Sequence, residues 1–165
     1  MRVRAAVAVH PANDFRFMEI ALREAVRAGD EGEVPVGAVV VHHRTVLARA
    51  HNRSIRLNDP TAHAEILALR RAAKKLGNHR LGAACSLYVT IEPCSMCAGA
   101  IIQARIGALI FGAEDFKAGA AGSALKVVNH PRLNHKVRIT EGILGADCAA
   151  VLRDFFIQRR QEARC

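Results

Sequence analysis

Residues 86–100 read Ser-Leu-Tyr-Val-Thr-Ile-Glu-Pro-Cys-Ser-Met-Cys-Ala-Gly-Ala, and this stretch decides the fold. Residues 86–91 are rich in β-branched and aromatic side chains, which predicts a strand. Pro93 then opens a helix that runs to about residue 104, because a first-turn position does not need the N–H that proline lacks. Cys94 and Cys97 stand three apart, so on that helix they project from one face. A strand delivers two sulfurs to a helix start.

The flanking chain extends the alternation. Toward the N-terminus, Asn13 or Asp14 can cap a helix with an apolar stripe of Met18, Ala21, Leu22, Ala25 and Val26, ended by Gly29. Residues 36–41 and 46–50 read as two strands joined by the turn His42-His43-Arg44-Thr45. Asp59-Pro60-Thr61 signals a helix from about residue 62 to residue 76, stopped by Gly77. Beyond the quoted stretch, residues 108–111 form a strand closed by Gly112, and residues 123–128 a short helix. Residues 136–140 form the fifth strand, and residues 146–160 a last helix with Ala149, Leu152, Phe155 and Phe156 on its apolar face. The order α-β-β-α-β-α-β-α-β-α implies an α/β fold of three layers, a mixed five-stranded sheet with helices on both faces.

The bulk numbers narrow the class. A chain of 165 residues, 51% hydrophobic and 24% charged, suits one globular domain. No apolar run approaches the length of a membrane span. Lys plus Arg exceeds Asp plus Glu by nine, a balance that attracts polyanions, with nucleic acid first. Aromatic residues are only 4%, and Trp is absent, which argues against an aromatic stacking platform. The five cysteines, at 85, 94, 97, 148 and 165, do not form a secreted disulfide framework and point to a reducing, cytoplasmic compartment. Residues 1–12, with Arg2 and Arg4, read as a basic, poorly ordered tail before a domain spanning residues 13–165, and their apolar run is too short for a signal peptide.

The chemistry gathers at two helix starts. His63-Ala64-Glu65 opens one helix and Pro93-Cys94-Ser95-Met96-Cys97 the next. Two thiolates and one imidazole give three ligands for Zn²⁺ and leave a fourth position open, which marks a catalytic site rather than a structural one. Helix N-termini carry positive partial charge and favour thiolates. A zinc-activated water needs a proton shuttle, and Glu65 is the carboxylate at hand. No second Cys-x-x-Cys or His-x-x-His completes a closed site, and the spacing of His79, His130 and His135 does not recommend them. Taken alone, Cys-x-x-Cys fits a redox pair or half a structural zinc site equally well.

The ordered set His-x-Glu then Pro-Cys-x-x-Cys resembles the zinc nucleobase deaminases. More of the chain resembles the bacterial tRNA-specific adenosine deaminases, within the cytidine deaminase-like superfamily. The shared stretches include Glu33-Val-Pro-Val-Gly-Ala38, Asn52-Arg53, Asp59-Pro-Thr-Ala-His-Ala-Glu-Ile66, residues 87–100, Phe111-Gly-Ala, Asp115-Phe-Lys117, Gly119-Ala-Ala-Gly-Ser123, Asn134-His135 and Thr140-Glu-Gly-Ile-Leu144. The resemblance implies a cytidine deaminase-like fold, one Zn²⁺ per subunit, and deamination of the wobble adenosine of a tRNA anticodon to inosine. It also implies a homodimer whose anticodon stem-loop site uses both subunits. By matching position, His63, Cys94 and Cys97 are the implied zinc ligands, Glu65 the implied catalytic proton shuttle, and Asn52 the implied partner of the flipped base. Asp115, Lys117, Asn134 and Phe155 match positions that touch the base or its neighbours.

Three features depart from the family pattern: the basic tail, an extra residue within residues 82–86, and Glu114, an acid placed beside Asp115. Plainer roles stand beside these. Asn52 can cap a turn, Phe155 can pack in a core or dimer interface, and Arg70, Arg71, Lys74 and Lys75 can form a solvated face. Two other functions use the same metal motif. One is deamination of a free base, nucleoside or nucleotide. The other is a non-catalytic zinc-stabilised RNA-binding module, which requires a fourth protein ligand.

Overall fold

Successive side chains of a strand point to opposite faces, so a sheet covered on both sides must be apolar at every position. The three central strands obey this. The computed structural model describes residues 11–163, in the order α1 (Pro11–Asp30), β1 (Gly37–His42), β2 (Thr45–His51), α2 (Ser54–Leu57), α3 (Ala64–Leu76), β3 (Cys85–Ile91), α4 (Ser95–Gln103), β4 (Ala108–Ala113), β5 (Arg138–Thr140) and α5 (Gly145–Glu162). The sheet order is β2-β1-β3-β4-β5. β1 is antiparallel to β2 and β3, whereas β3, β4 and β5 run parallel.

Ala38, Val40, Leu87, Val89, Leu109 and Phe111 pack beneath α3 and α4 with Ala68, Ala72, Ala98 and Ile101. The alternate residues Val39, Val41, Tyr88, Ala108 and Ile110 pack beneath α1 and α5 with Phe17, Met18, Ala21 and Cys148. Each fully buried aliphatic or aromatic side chain contributes about 1.5–3 kcal/mol of apolar burial. The three-layer mixed sheet read from the sequence is therefore the observed one.

The differences are local. Residues 1–10 of the expected tail lie outside the described residues. Pro11 and Ala12 already belong to α1, and Asp14 does not cap it. Instead the Asp14 carboxylate is buried and accepts the Tyr88 hydroxyl proton at 2.7 Å. The buried stripe of α1 is Phe17, Met18, Ala21, Ala25 and Ala28, with Val26 facing solvent, and the helix runs on past Gly29 to Asp30. α2 is an additional single turn that the sequence reading lacks. α3 begins at Ala64, because Asp59 and Thr61 form their own side-chain turn first.

The helix expected over residues 123–128 is absent. Its N–H groups go elsewhere: Ser123 to the Glu92 carboxylate, Ala124 and Leu125 to the Gly119 carbonyl, and Val127 and Val128 to the Ala120 carbonyl. Gly112 does not end β4. It lies inside the strand, where its missing Cβ makes room for the Cys148 thiol. On α5 only Cys148 is buried among the described side chains, while Phe156 of the expected apolar face is exposed.

The expected hairpin turn is present, with His43 and Arg44 both at positive φ, the geometry of a two-residue turn that suits the strand twist. Gly37 opens β1 directly under α1. A Cβ there would strike the Ala21 carbonyl and the Ala25 nitrogen, both backbone atoms of a packed helix. Gly37→Ala should therefore cost about 1–3 kcal/mol through overpacking. Urea unfolding checks this by a lowered midpoint at unchanged slope, and an unchanged midpoint would contradict the direct α1–β1 approach.

Candidate active site

In an open α/β sheet, ligands bind beyond the carboxyl ends of strands where the order reverses. Here β3 has antiparallel β1 on one side and parallel β4 on the other. The chain leaves β3 through Ile91, Glu92 and Pro93 and enters α4, placing Cys94 at the helix N-cap and Cys97 in the first turn. α3 starts alongside, with His63 as its N-cap. Neither cap side chain bonds the turn beneath it in the usual capping manner, so both remain free to act as ligands.

The three donors converge. The His63 Nδ1 lies 3.7 Å from the Cys94 Sγ and 3.5 Å from the Cys97 Sγ. All three donor atoms lie within 4.8 Å of one another, and among the described residues no other such group of three His, Cys, Asp or Glu forms. For a tetrahedral zinc with Zn–S about 2.3 Å and Zn–N about 2.0–2.1 Å, sulfur and nitrogen ligands stand about 3.6 Å apart, so the donor set fits this metal. None of His79, His130 and His135 joins the triad: the His135 Nε2 meets the Ile106 carbonyl at 2.6 Å, and the His130 Nδ1 accepts from the Arg132 N–H.

The electrostatics of the metal-free triad carry the same message. Hydrogen bonding from Cys97 and then His63 holds the Cys94 thiol down to about 3, despite its partial burial. Cys97 is pushed far up, first by its bond to the Cys94 sulfur and then by burial. The hydrogen bond to Cys94 raises His63. Without a cation, Cys94 ionises while Cys97 keeps its proton, whereas a divalent ion would hold both as thiolates. Glu65 is buried beside them, and burial raises its carboxyl above the usual range. A carboxyl that is readily protonated is suited to both accepting and giving a proton.

Above the triad opens a cavity of about 480 Å³. Its floor includes His63, Glu65 and Cys94; its sides include Asn52, Asp115 and Lys117; and Val34, Leu152 and Phe156 form its apolar wall. The Asn52 Oδ1 accepts the Ala64 N–H at 2.8 Å. This bond satisfies the α3 start in place of His63 and fixes the amide, so the Nδ2 hydrogens are left for a ligand. The capping role and the binding role of Asn52 therefore coexist.

The Asp115 Oδ1 accepts from the Lys117 and Ala118 N–H groups and shapes the loop that carries both side chains. Asn134 is exposed and does not line the cavity. Phe155 does not line it either; the aromatic side chain that does is Phe156, one position along α5.

Two buried carboxylates around the site were given no role in the sequence analysis. Glu33 accepts the Ile55 and Arg56 N–H groups at 3.1 and 2.8 Å, pinning α2 just after Asn52. Glu92 accepts from Asp115, Ala121 and Ser123. Burial would raise the Glu92 carboxyl, but these bonds, led by Ser123, hold it low. For Glu92 the available signal was an acid at the end of an apolar run, which must find partners when buried; Glu33, after Asp30-Glu31-Gly32, carries no such signal.

A mixed sheet with this donor triad at the switch point defines a hydrolytic nucleobase deaminase of the cytidine deaminase-like fold. Residues 12–160 match the family model of MafB19-like deaminases. The chain is similar to the tRNA-specific adenosine deaminase of Haemophilus influenzae, at 46% identity over 96% of this chain and 92% of the relative. It is also similar to that of Agrobacterium fabrum, at 48% identity over 87% and 94%. A solved structure from a study of A-to-I editing by tRNA:A34 deaminases at the wobble position of transfer RNA superposes with a TM-score of 0.80 at 47% identity, covering 83% of this chain and 99% of that one. The chain belongs to the tRNA-specific adenosine deaminase family.

In metal-free protein at pH 6, iodoacetamide should modify Cys94, whose thiolate persists there, and spare Cys85 and Cys148, which burial pushes up to about 11 and about 12. Peptide mass mapping reads the result. Equal labelling of Cys94 and Cys148 would contradict the coupled triad.

Proposed function

We propose that this protein hydrolyses the wobble adenosine of a tRNA anticodon to inosine, using one zinc ion per subunit held by His63, Cys94 and Cys97. The observation that carries the zinc reading is the three-donor cluster at the floor of a cavity, with buried Glu65 beside it. Zinc bound at such a set lowers the pKa of a water to about 7 and so supplies a nucleophile at neutral pH.

The chain's own groups do the rest. The reaction breaks the C6–N bond of adenine, forms C6=O and releases ammonia. Glu65 takes a proton from the attacking water, gives it to the ring nitrogen, and then transfers a proton to the departing amine. The Asn52 Nδ2 donates to the extruded base and orients it. Leu152 and Phe156 wall the cavity and exclude water. An anticodon loop is already partly unstacked, so extruding its base costs less than flipping one from a duplex. Asp115 and Lys117 face the base and its neighbours. Asn134 and Phe155, outside the cavity, are assigned to flanking nucleotides.

The excess of nine positive charges supports a polyanionic substrate. No helix among the described residues is long and apolar enough to cross a membrane. Cytoplasmic location and a homodimer belong to the same proposal. Support for the dimer comes from the shallow apolar depression between α3 and α4, lined by Ile66, Leu69, Ala73 and Ala100.

The test is incubation of zinc-loaded protein with an adenosine-containing anticodon stem-loop, followed by nucleoside analysis. Inosine should form in the stem-loop, with no deamination of free adenosine, guanine or cytosine; turnover confined to the free bases or nucleosides would overturn the RNA reading. Glu65→Ala should retain zinc and RNA while losing about 10²–10⁴ in kcat. Full turnover by that variant would remove Glu65 from its role.

A further inference from the structure

Glu92 is 2% exposed and is not used by the chemistry above. It occupies the step between β3 and the metal-bearing start of α4. Its Oε2 accepts the Asp115 N–H at 3.1 Å, and its Oε1 accepts the Ala121 and Ser123 N–H groups at 2.9 and 3.1 Å. The main chain adds two more ties. The Glu92 N–H donates to the Ala113 carbonyl, and the Ala120 N–H donates to the Pro93 carbonyl, both at 2.8 Å.

Residues 114–123 contain no helix or long strand, so they have no ladder of their own to hold them. Asp115 orders the turn through its own side chain, and the Glu92 carboxylate ties both ends of the loop to the start of α4. Gly119 lies against that carboxylate so closely that a Cβ would overlap the Glu92 Cδ and Oε2. The loop is thus shaped around the Glu92 side chain, and it carries Asp115 and Lys117 into the cavity.

We infer that Glu92 is a positioning residue for substrate: it sets the loop of residues 114–123 in register with the start of α4, so that Asp115 and Lys117 meet the nucleotide held over the metal triad. Glu92 is among the residues lining the cavity, but both of its carboxylate oxygens are taken by loop N–H groups, and it acts through the Asp115 end of the loop. This inference rests on the proposed reading of Asp115 and Lys117 as substrate contacts.

The two oxygens allow a selective test. In Glu92→Gln, the amide oxygen can keep the bonds from Ala121 and Ser123. The amide nitrogen then faces the Asp115 N–H, donor against donor, and only that end of the loop is released.

The experiment compares zinc-loaded wild type, E92Q, D115A and the double variant on the adenosine anticodon stem-loop. E92Q should raise KM about tenfold, the scale of one lost charge-assisted bond, with zinc content unchanged and kcat within about threefold. The double variant should be no worse than the weaker single, because both act through one contact. A wild-type KM for E92Q, equal losses in kcat and KM, or additive penalties would overturn the inference.

Hydrogen exchange provides a readout independent of substrate. E92Q should speed exchange of the Asp115 amide more than tenfold while leaving the α4 amides unchanged. Unchanged exchange at Asp115 would overturn the inference even if the stem-loop is a substrate. Absence of inosine from wild type, with exchange at Asp115 accelerated, would instead count against the proposed function and leave the positioning role supported.

Discussion

Two thiols and an imidazole brought within bonding distance of one point are costly to hold together without a cation. The Cys94 thiol ionises while Cys97 is forced to keep its proton, and both are partly or wholly removed from water. Much of the surrounding structure manages that cost. The β3–α4 step aims both sulfurs from a helix N-terminus, where the backbone dipole favours negative charge. α3 brings the imidazole in from its own N-terminus. Because His63 is turned to this purpose, the first turn of α3 takes its cap from Asn52, thirteen positions from Glu65 in sequence but on the wall of the same cavity.

The same economy governs the loops. The α2 turn and residues 114–123 have local hydrogen bonds of their own but no long ladder. Each is bolted by a buried carboxylate next to an inner strand, Glu33 in the connection before β1 for the first and Glu92 just after β3 for the second. A buried carboxylate is tolerated only when several N–H groups point at it, and irregular loops have N–H groups to spare. The cavity is lined by three acids, of which Glu92 gives its oxygens to loop N–H groups, Asp115 accepts from the N–H groups of its own loop, and Glu65 lies beside the donor triad.

These physical facts explain what could be read from the sequence. The strands β1, β3 and β4 were legible because burial on both faces made them continuous apolar runs. The cluster of His63, Cys94 and Cys97 was legible because metal binding requires particular residue types at fixed spacing. Gly77 stopped α3 as expected, in a left-handed conformation that glycine adopts readily. The misreadings arose where a distant partner outweighs local preference. Asp14 is an ordinary helix cap in sequence, but Tyr88 captures its carboxylate. Residues 123–128 have a helical pattern, but Glu92, Gly119 and Ala120 take their N–H groups. Phe155 and Phe156 are adjacent, and only the orientation of α5 puts the second on the cavity.

On the proposed function, three protein atoms, and no more, hold the metal. X-ray absorption at the zinc edge of the loaded protein tests it most directly. The account predicts two sulfur scatterers at about 2.3 Å, one imidazole, and one further light atom at about 2.0 Å from solvent. A third sulfur or a second imidazole in the first coordination sphere would contradict it, because the position that activates water would then be filled by the protein itself.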